Sequence, residues 1–329
     1  MSAPKAEPAQ KAGGWRFGAL EGLTVGLVVL LVGQRWIAGL FDSPALQAGA
    51  TVFVSIVVQA TPFLVLGVLL SAAIAAFVPV TFWQRVLPKN DALAVPVAGL
   101  AGVVLPGCEC ASVPVAGSLM ARGVAPAAAL AFLLSAPAIN PIVLVSTWVA
   151  FPGQPMMAVA RFAASLITSV LMGWLWIRFG RTDWIRIPRR DHLVGHSNWQ
   201  TFRLTATHDF LHAGGFLVVG GVTAAVLNVA VPPSVMDSLA GQALLSVLFL
   251  ALLAVVLCLC SEADAFVAAS LSQFSLTARL AFLVVGPMVD LKLVALQTGI
   301  FGRRFASRFA PTTFVVAVVV SIVIGAWLL

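Results

Sequence analysis

Charge is what this sequence has least of. Asp, Glu, Lys and Arg make up 9% of its 329 residues, against 60% hydrophobic residues and a mean hydropathy of +1.04. A soluble globular domain is about a quarter charged, so this chain lacks the polar surface needed to sit in water. Nucleotide and zinc-protease signatures are missing as well: there is no Walker A sequence, no dinucleotide glycine fingerprint and no His-Glu-x-x-His. ATP-driven transport within this chain is therefore unsupported. The net charge of +7 comes without any nucleic-acid-binding motif. Its basic residues fall in short connections between apolar runs, where they fix the orientation of a membrane protein. Cysteine is confined to four positions, Cys108, Cys110, Cys258 and Cys260.

What is abundant is apolar sequence in runs long enough to cross a hydrocarbon core of about 30 Å. The first, Phe17 to about Val32, follows Lys5, Lys11 and Arg16 and is followed by Gly33-Gln34-Arg35-Trp36 rather than a small-residue cleavage site. It reads as an uncleaved first helix. Full crossings are expected near 17–38, 51–78, 125–150, 156–178, 210–231, 279–301 and 311–329. The longest polar stretch, Asp183 to Arg203, carries with Arg178 and Arg181 six arginines and is expected in the cytoplasm. Fifteen of the nineteen Lys and Arg then lie on that side, with Arg35, Arg161 and Arg279 near outer ends and Lys292 in the core.

A duplication organises the chain. Leu130-Ala131-Phe132-Leu133 recurs 150 positions later as Leu280-Ala281-Phe282-Leu283, and at the same offset Pro137 matches Pro287 and Asn140 matches Asp290. Cys108 and Cys110 fall on Cys258 and Cys260, while Gly67 and Pro79 match Gly220 and Pro232 at an offset of 153. The repeats span about 59–145 and 213–295. The segments 92–121 and 238–271 each read as an apolar run, a Cys-containing break and a second short run. As hairpins that reach the midplane and return, they give repeats of opposite orientation; single spanning helices are the alternative. The expected fold is all-α integral membrane: an inverted-repeat transporter bundle with about seven full crossings plus two Cys-containing re-entrant or broken hairpins. The expected parts are a tail and first helix (1–50), repeat one (51–155), a connecting helix and basic loop (156–207), repeat two (208–302) and a C-terminal helix (303–329).

The chemistry-bearing residues sit at the breaks. Cys108-Glu109-Cys110 and Cys258-Leu259-Cys260 form two matched Cys-x-Cys turns. A lone buried Cys is usually a small hydrophobe, but two apposed thiol pairs suit a soft ion such as Cu(I), Zn(II) or trivalent arsenic. Glu109, Glu262 and Asp264 adjoin them, and an acidic group at membrane depth lines a cavity, pairs or carries a proton. Pro137-Ala138-Ile139-Asn140-Pro141 and Pro287-Met288-Val289-Asp290 break their helices at about the same depth, which describes a binding site between repeats. The expected substrate-binding set is Cys108, Glu109, Cys110, Asn140, Cys258, Cys260, Glu262, Asp264 and Asp290. Asp290, Lys292 and Glu262 are the expected coupling residues, with Lys292 a charge partner for an acidic neighbour. His192/His196 and His208/His212 have a helical metal spacing, but solvated loop histidines are the better reading.

The run Leu105-Pro106-Gly107-Cys108-Glu109-Cys110-Ala111-Ser112-Val113-Pro114, followed by Leu130 to Pro141 and by Cys260-Ser261-Glu262-Ala263-Asp264-Ala265-Phe266, resembles a family of bacterial predicted permeases. That family includes exporters of trivalent organoarsenicals. The resemblance implies a multi-pass permease of the inner membrane, N-terminus cytoplasmic, with no cofactor and no catalytic residues. Its partners would be the bilayer and a small-molecule or ion substrate, with a homo-oligomer left open. Efflux of a soft solute and arsenical resistance are the functions it suggests. Glu109 departs from the family pattern, which has a small residue between the cysteines. A membrane thiol oxidoreductase, with the two cysteine pairs shuttling electrons, is the competing class; it needs one pair near the surface.

Overall fold

The computed structural model describes residues 44–77, 87–88, 90–103, 109–186, 197–230, 242–261 and 263–329. Met1–Ala48 forms one unit and Gly49–Leu329 another, and the contacts given below lie within the second. Among the described residues the chain is helical: α1 (Pro44–Phe77), α2 (Asp91–Ala101), α3 (Glu109–Ala121), α4 (Pro126–Ile139), α5 (Pro141–Ala150), α6 (Met156–Phe179), α7 (Asn198–Ala230), α8 (Ala243–Leu257), α9 (Asp264–Ser270), α10 (Leu276–Met288), α11 (Leu291–Phe301) and α12 (Arg303–Leu328). Among the described residues, six stretches are long and apolar enough to cross a membrane: Leu46–Phe77, Pro126–Ala150, Met156–Phe179, Asn198–Val226, Leu276–Phe301 and Arg303–Leu328. The crossing expected at 17–38 lies outside the described residues.

Three helices start well before their apolar runs, α1 at Pro44 rather than near 51 among them. α12 begins at Arg303 rather than near 311 because its first turns are amphipathic: Phe305, Ala306 and Phe309 are buried while Arg303, Arg304 and Arg308 face outwards. α7 begins at Asn198, inside the polar stretch, where Trp199 and Phe202 stack at 5.3 Å.

The element order and packing of the first half recur in the second. α2 and α3 both pack on α4, as α8 and α9 both pack on α10. α4 packs on α6 as α10 packs on α12, α2 meets α6 as α8 meets α12, and α4 meets α10 directly. Across the halves, α3 packs on α11 and α9 packs on α5. Matched glycines let α1 approach α3, and α7 approach α11, closely. A Cβ at Gly67 of α1 would overlap the backbone of Ala111 on α3, and one at Gly220 of α7 would lie 2.6 Å from Cα of Lys292 on α11.

α4 and α10, each with a proline near its end, stop for the same local reason. Asn140, extended at φ −66° and ψ 155°, caps α5 by accepting the Val143 N–H at 3.0 Å. Asp290, at φ −135° and ψ 170°, caps α11 by accepting the Leu293 N–H at 2.6 Å. An Asn or Asp side chain that satisfies an orphan N–H is what restarts a helix. The expected breaks of 125–150 and 279–301 are thus helix–cap–helix junctions.

Candidate functional site

Helix ends converge on Lys292. Its Nζ lies 2.6 Å from Glu109 Oε1 and 3.3 Å from Asp290 Oδ2, and it donates to the carbonyls of Cys258 at 2.8 Å and Leu259 at 3.3 Å. The backbone explains the two carbonyls. Cys258 closes α8 in the left-handed region, φ 50° and ψ 40°, an uncommon conformation for a residue other than glycine. That turn frees its own carbonyl and the next from helical bonding, and the negative end of the α8 dipole favours an ammonium there. Glu109 in turn stands in the first turn of α3, where exposed N–H groups favour a carboxylate.

A second ion pair lies beside the first. Arg161 of α6 donates to Asp264 Oδ2 at 2.8 Å, to Thr147 Oγ1 at 2.8 Å and to the Ser261 carbonyl at 3.2 Å. Asp264 stands in the first turn of α9, as Glu109 does in α3. Ser261 joins the two systems, since its hydroxyl donates to Glu109 Oε2 at 3.2 Å while its carbonyl accepts from Arg161. The result is one chain of contacts, Asp290–Lys292–Glu109–Ser261–Arg161–Asp264, drawn from both halves. Every member is buried, none exposed beyond 2%. Of the described residues it holds three carboxylates and two cations. Buried charges on this scale persist only when paired and hydrogen-bonded.

The thiols surround this chain. Cys110 and Cys260 lie within electrostatic reach of the Lys292 ammonium, and the Cys258 sulfur faces the backbone N–H groups of Leu291 and Lys292 while donating to the Val255 carbonyl at 3.3 Å. All three are buried and none is in a disulfide. The oxidoreductase reading needs a thiol pair within reach of a partner protein, and these three are out of reach. Among the described residues, no group of three or more His, Cys, Asp or Glu side chains is placed to hold a metal ion. Cys108 and Glu262, both expected in the site, lie outside the described residues, as do His192 and His196. His208 is exposed and pairs with Asp209 at 3.3 Å.

Of the expected residues, Glu109, Asp290 and Lys292 meet directly, and Asp264 joins them through Arg161 and Ser261. Asn140 caps α5, and its amide donates to the Ala136 carbonyl at 3.2 Å. Arg161 is the residue that sequence reasoning missed. Expected near an outer end, it is fully buried in the polar chain. Its signal was present: a single cation five residues into an apolar helix, followed at helical spacing by Ser165, Thr168 and Ser169. All three are buried, and Arg161 Nε, Ser165 Oγ and Thr168 Oγ1 have no protein hydrogen-bond partner among the described residues.

Comparison with known proteins accords with this architecture. Residues 46–326 match the family ArsP_1, described as a predicted permease. The chain is 36% identical over 278 residues to the UPF0718 protein YcgR of Bacillus subtilis (strain 168), covering 82% of this chain and 94% of the relative. It is 30% identical over 282 residues, 83% of this chain and 94% of the relative, to a Streptococcus mutans protein. That protein's name describes it as a candidate subunit of a two-component membrane permease complex. No solved structure matches the chain significantly.

Proposed function

This chain belongs to the ArsP_1 family of predicted permeases, a multi-pass membrane protein, and from that premise we propose that it is a secondary transporter whose solute passes between two inverted repeats at the Glu109–Lys292–Asp290 cluster. The convergence of helix ends from both halves on one buried, hydrogen-bonded ion network carries the reading. In transporters built this way, half-helix termini and unwound backbone meet at the bilayer midplane to bind the solute.

The packing supports re-entrant arms of opposite orientation. Gly102, just after α2, meets Ser135 and Ala136 late in α4, whereas Val95 early in α2 meets Gly173, against which Ala127 at the start of α4 also lies. α2 therefore runs alongside α4 in the same direction, and α3 turns through residues 122–125 to run antiparallel to it. Both ends of the α2–α3 segment thus lie where α4 begins. In the second half Phe249 stacks on Phe274 just before α10, and Ala254 meets Gly286 late in it. One crossing by α4–α5, a return by α6 and another crossing by α7 then bring the second arm in from the opposite face. The arginines of 178–186 and of 303–308 fall together on the side of the first arm, which the positive-inside rule makes cytoplasmic. A bacterial inner membrane and a cytoplasmic N-terminus complete this topology.

The solute in this reading is soft and thiol-reactive, a trivalent organoarsenical or a soft metal ion, exported from the cell. Cys110, Cys258 and Cys260 beside the network supply soft donors, with Cys108, Glu262 and Asn140 completing the path. The surplus carboxylate, assigned to Asp290, is the group that exchanges a proton with the gradient; Lys292 and Glu262 assist. The buried polar face of α6 from Arg161 to Ser169 is the route by which water reaches the network from the cytoplasm. The name of the Streptococcus relative supports a second component as a partner. Everted membrane vesicles test the reading: wild type should accumulate phenylarsenous acid or Cu(I) when a proton gradient is imposed, and the Cys110→Ser/Cys260→Ser double variant should not. Accumulation by that variant at the wild-type rate would reduce these thiols to packing.

A further inference from the structure

An unassigned pocket opens where α6 ends and α12 begins. It has a volume of about 370 Å³, within the range of ligand-sized cavities, and its walls are apolar and aromatic: Met172, Leu175, Trp176, Phe179, Trp184 and Phe309. Trp176 packs edge-on against Trp184 at 6.4 Å, Phe305 at 5.5 Å and Phe309 at 6.4 Å, so the floor is built from interlocked rings. The mouth is basic. Arg308 lies 4.2 Å above the Trp184 ring, Arg181 5.8 Å from the same ring, and Arg178 5.5 Å from the Phe179 ring. All three arginines are exposed, and no carboxylate pairs with their guanidinium groups among the described residues. Asp183 is the one acidic residue in the segment 178–186.

Position decides what such a pocket takes. Its two helices are apolar spans ending at Phe179 and beginning at Arg303, so the pocket sits at the rim of the membrane-crossing region. An aqueous metabolite would meet an apolar cavity with almost no polar group inside. A bilayer lipid brings both halves of the complement, an acyl chain for the ring-lined cavity and a phosphate for the arginines. Basic pockets between helices on the cytoplasmic side bind anionic head groups, and Arg matches phosphate through its planar fork.

We propose that this pocket is a binding site for an anionic phospholipid, its acyl chain seated among Trp176, Phe179, Trp184 and Phe309 and its phosphate held by Arg181 and Arg308. The site is distinct from the Lys292 network and stands whether or not the transport reading does. The occupied pocket would tie the cytoplasmic end of α6, the helix that carries Arg161, to α12.

Thermal unfolding of the purified full chain in neutral detergent tests it, with phosphatidylglycerol, phosphatidylcholine and inorganic phosphate as separate additions. Phosphatidylglycerol should raise the Tm of the wild type, and the other two should not. In the Arg181→Ala/Arg308→Ala variant the lipid concentration giving half the shift should rise about tenfold or more. Should that variant fail to fold, brominated acyl chains read the wild type alone. Brominated phosphatidylglycerol should quench tryptophan emission at lower concentration than brominated phosphatidylcholine, and the difference should narrow in Trp184→Phe, where Trp176 is the pocket's remaining tryptophan. Equal effects of the two lipids would overturn the proposal in favour of ordinary bilayer contact. An equal Tm rise with inorganic phosphate would overturn it in favour of a simple anion site.

Discussion

The junctions at Asn140 and Asp290 have the same architecture and different electrostatics, one neutral and one charged. Each follows a proline-containing helix, each leaves the helix with an extended residue, and each side-chain oxygen accepts from the N–H of the next helix's third residue. Asn140 does this as a neutral amide, which also bonds back to Ala136. Asp290 does it as a carboxylate facing Lys292 and, through it, Glu109 of the other half. Capping therefore accounts for what the junctions share and not for the charge at one of them. A second asymmetry points the same way. The first-turn carboxylate of α3 is met by Lys292 beside the opposite junction, while that of α9 is met by Arg161 from α6. The fold is doubled, but the ion network is not.

The largest effect that would break this comparison is expected at Lys292. Lys292→Met leaves Glu109 and Asp290 buried beside the Cys258 and Leu259 carbonyls with no cation between them. Removing one partner of a buried pair costs about 3–5 kcal/mol, so the variant should lose most of its thermal stability in detergent. Adding Glu109→Gln should restore part of the Tm, because one uncompensated carboxylate goes. No recovery at all would mean that the two groups do not compensate each other.

Asn140→Asp asks the reverse question, making the first junction resemble the second. Asp caps as well as Asn, so the helix start should survive. The new carboxylate gives up the amide bond to Ala136 and gains no assigned cation, and a loss of about 2–3 kcal/mol is expected in thermal unfolding. A neutral outcome would show that this junction already has charge compensation available. Arg161→Lys should be milder, about 1–2 kcal/mol, because an ammonium keeps the charge opposite Asp264 but cannot hold Asp264, Thr147 and the Ser261 carbonyl in one planar fork.

Much of the fold was legible because it rests on patterns that one sequence carries. Apolar runs located the six described stretches long and apolar enough to cross a membrane, and the matched pairs Gly67/Gly220, Pro137/Pro287 and Asn140/Asp290 fall at corresponding places in the packing. The site was legible only in part. Spacing shows that Glu109 is acidic and deep, but that its partner is Lys292, 183 positions away, depends on α3 packing against α11. Arg161 was missed because charge distribution assigns a cation near a helix start to the rim, whereas this one turns inwards to Asp264. The early starts of α7 and α12 escaped an apolar-run criterion because their first turns mix polar and charged residues with apolar ones, α12 with an amphipathic face.

The smallest effect on stability, and the most informative for function, is expected from Asp290→Asn, which makes the second junction resemble the first. Asn keeps the oxygen that caps α11, and Lys292 keeps Glu109 and two carbonyls, so the Tm should move little, by about 1 kcal/mol or less in stability terms. What the substitution removes is one negative charge from a network that holds three carboxylates and two cations, bringing the described groups to balance. A network already balanced has no vacancy for a proton to fill. If the surplus carboxylate is the one that couples transport to the gradient, Asp290→Asn should abolish gradient-driven accumulation in vesicles while substrate binding and counterflow exchange persist. Exchange needs only rearrangement around bound solute, and the substitution keeps the α11 cap and the Lys292–Glu109 pair while giving up the Asp290–Lys292 pair. Normal gradient-driven transport with an unchanged pH dependence would instead make Asp290 a cap and nothing more. The coupling role would then pass to Glu262 or to Asp264, whose pairing with Arg161 would have to open during the cycle.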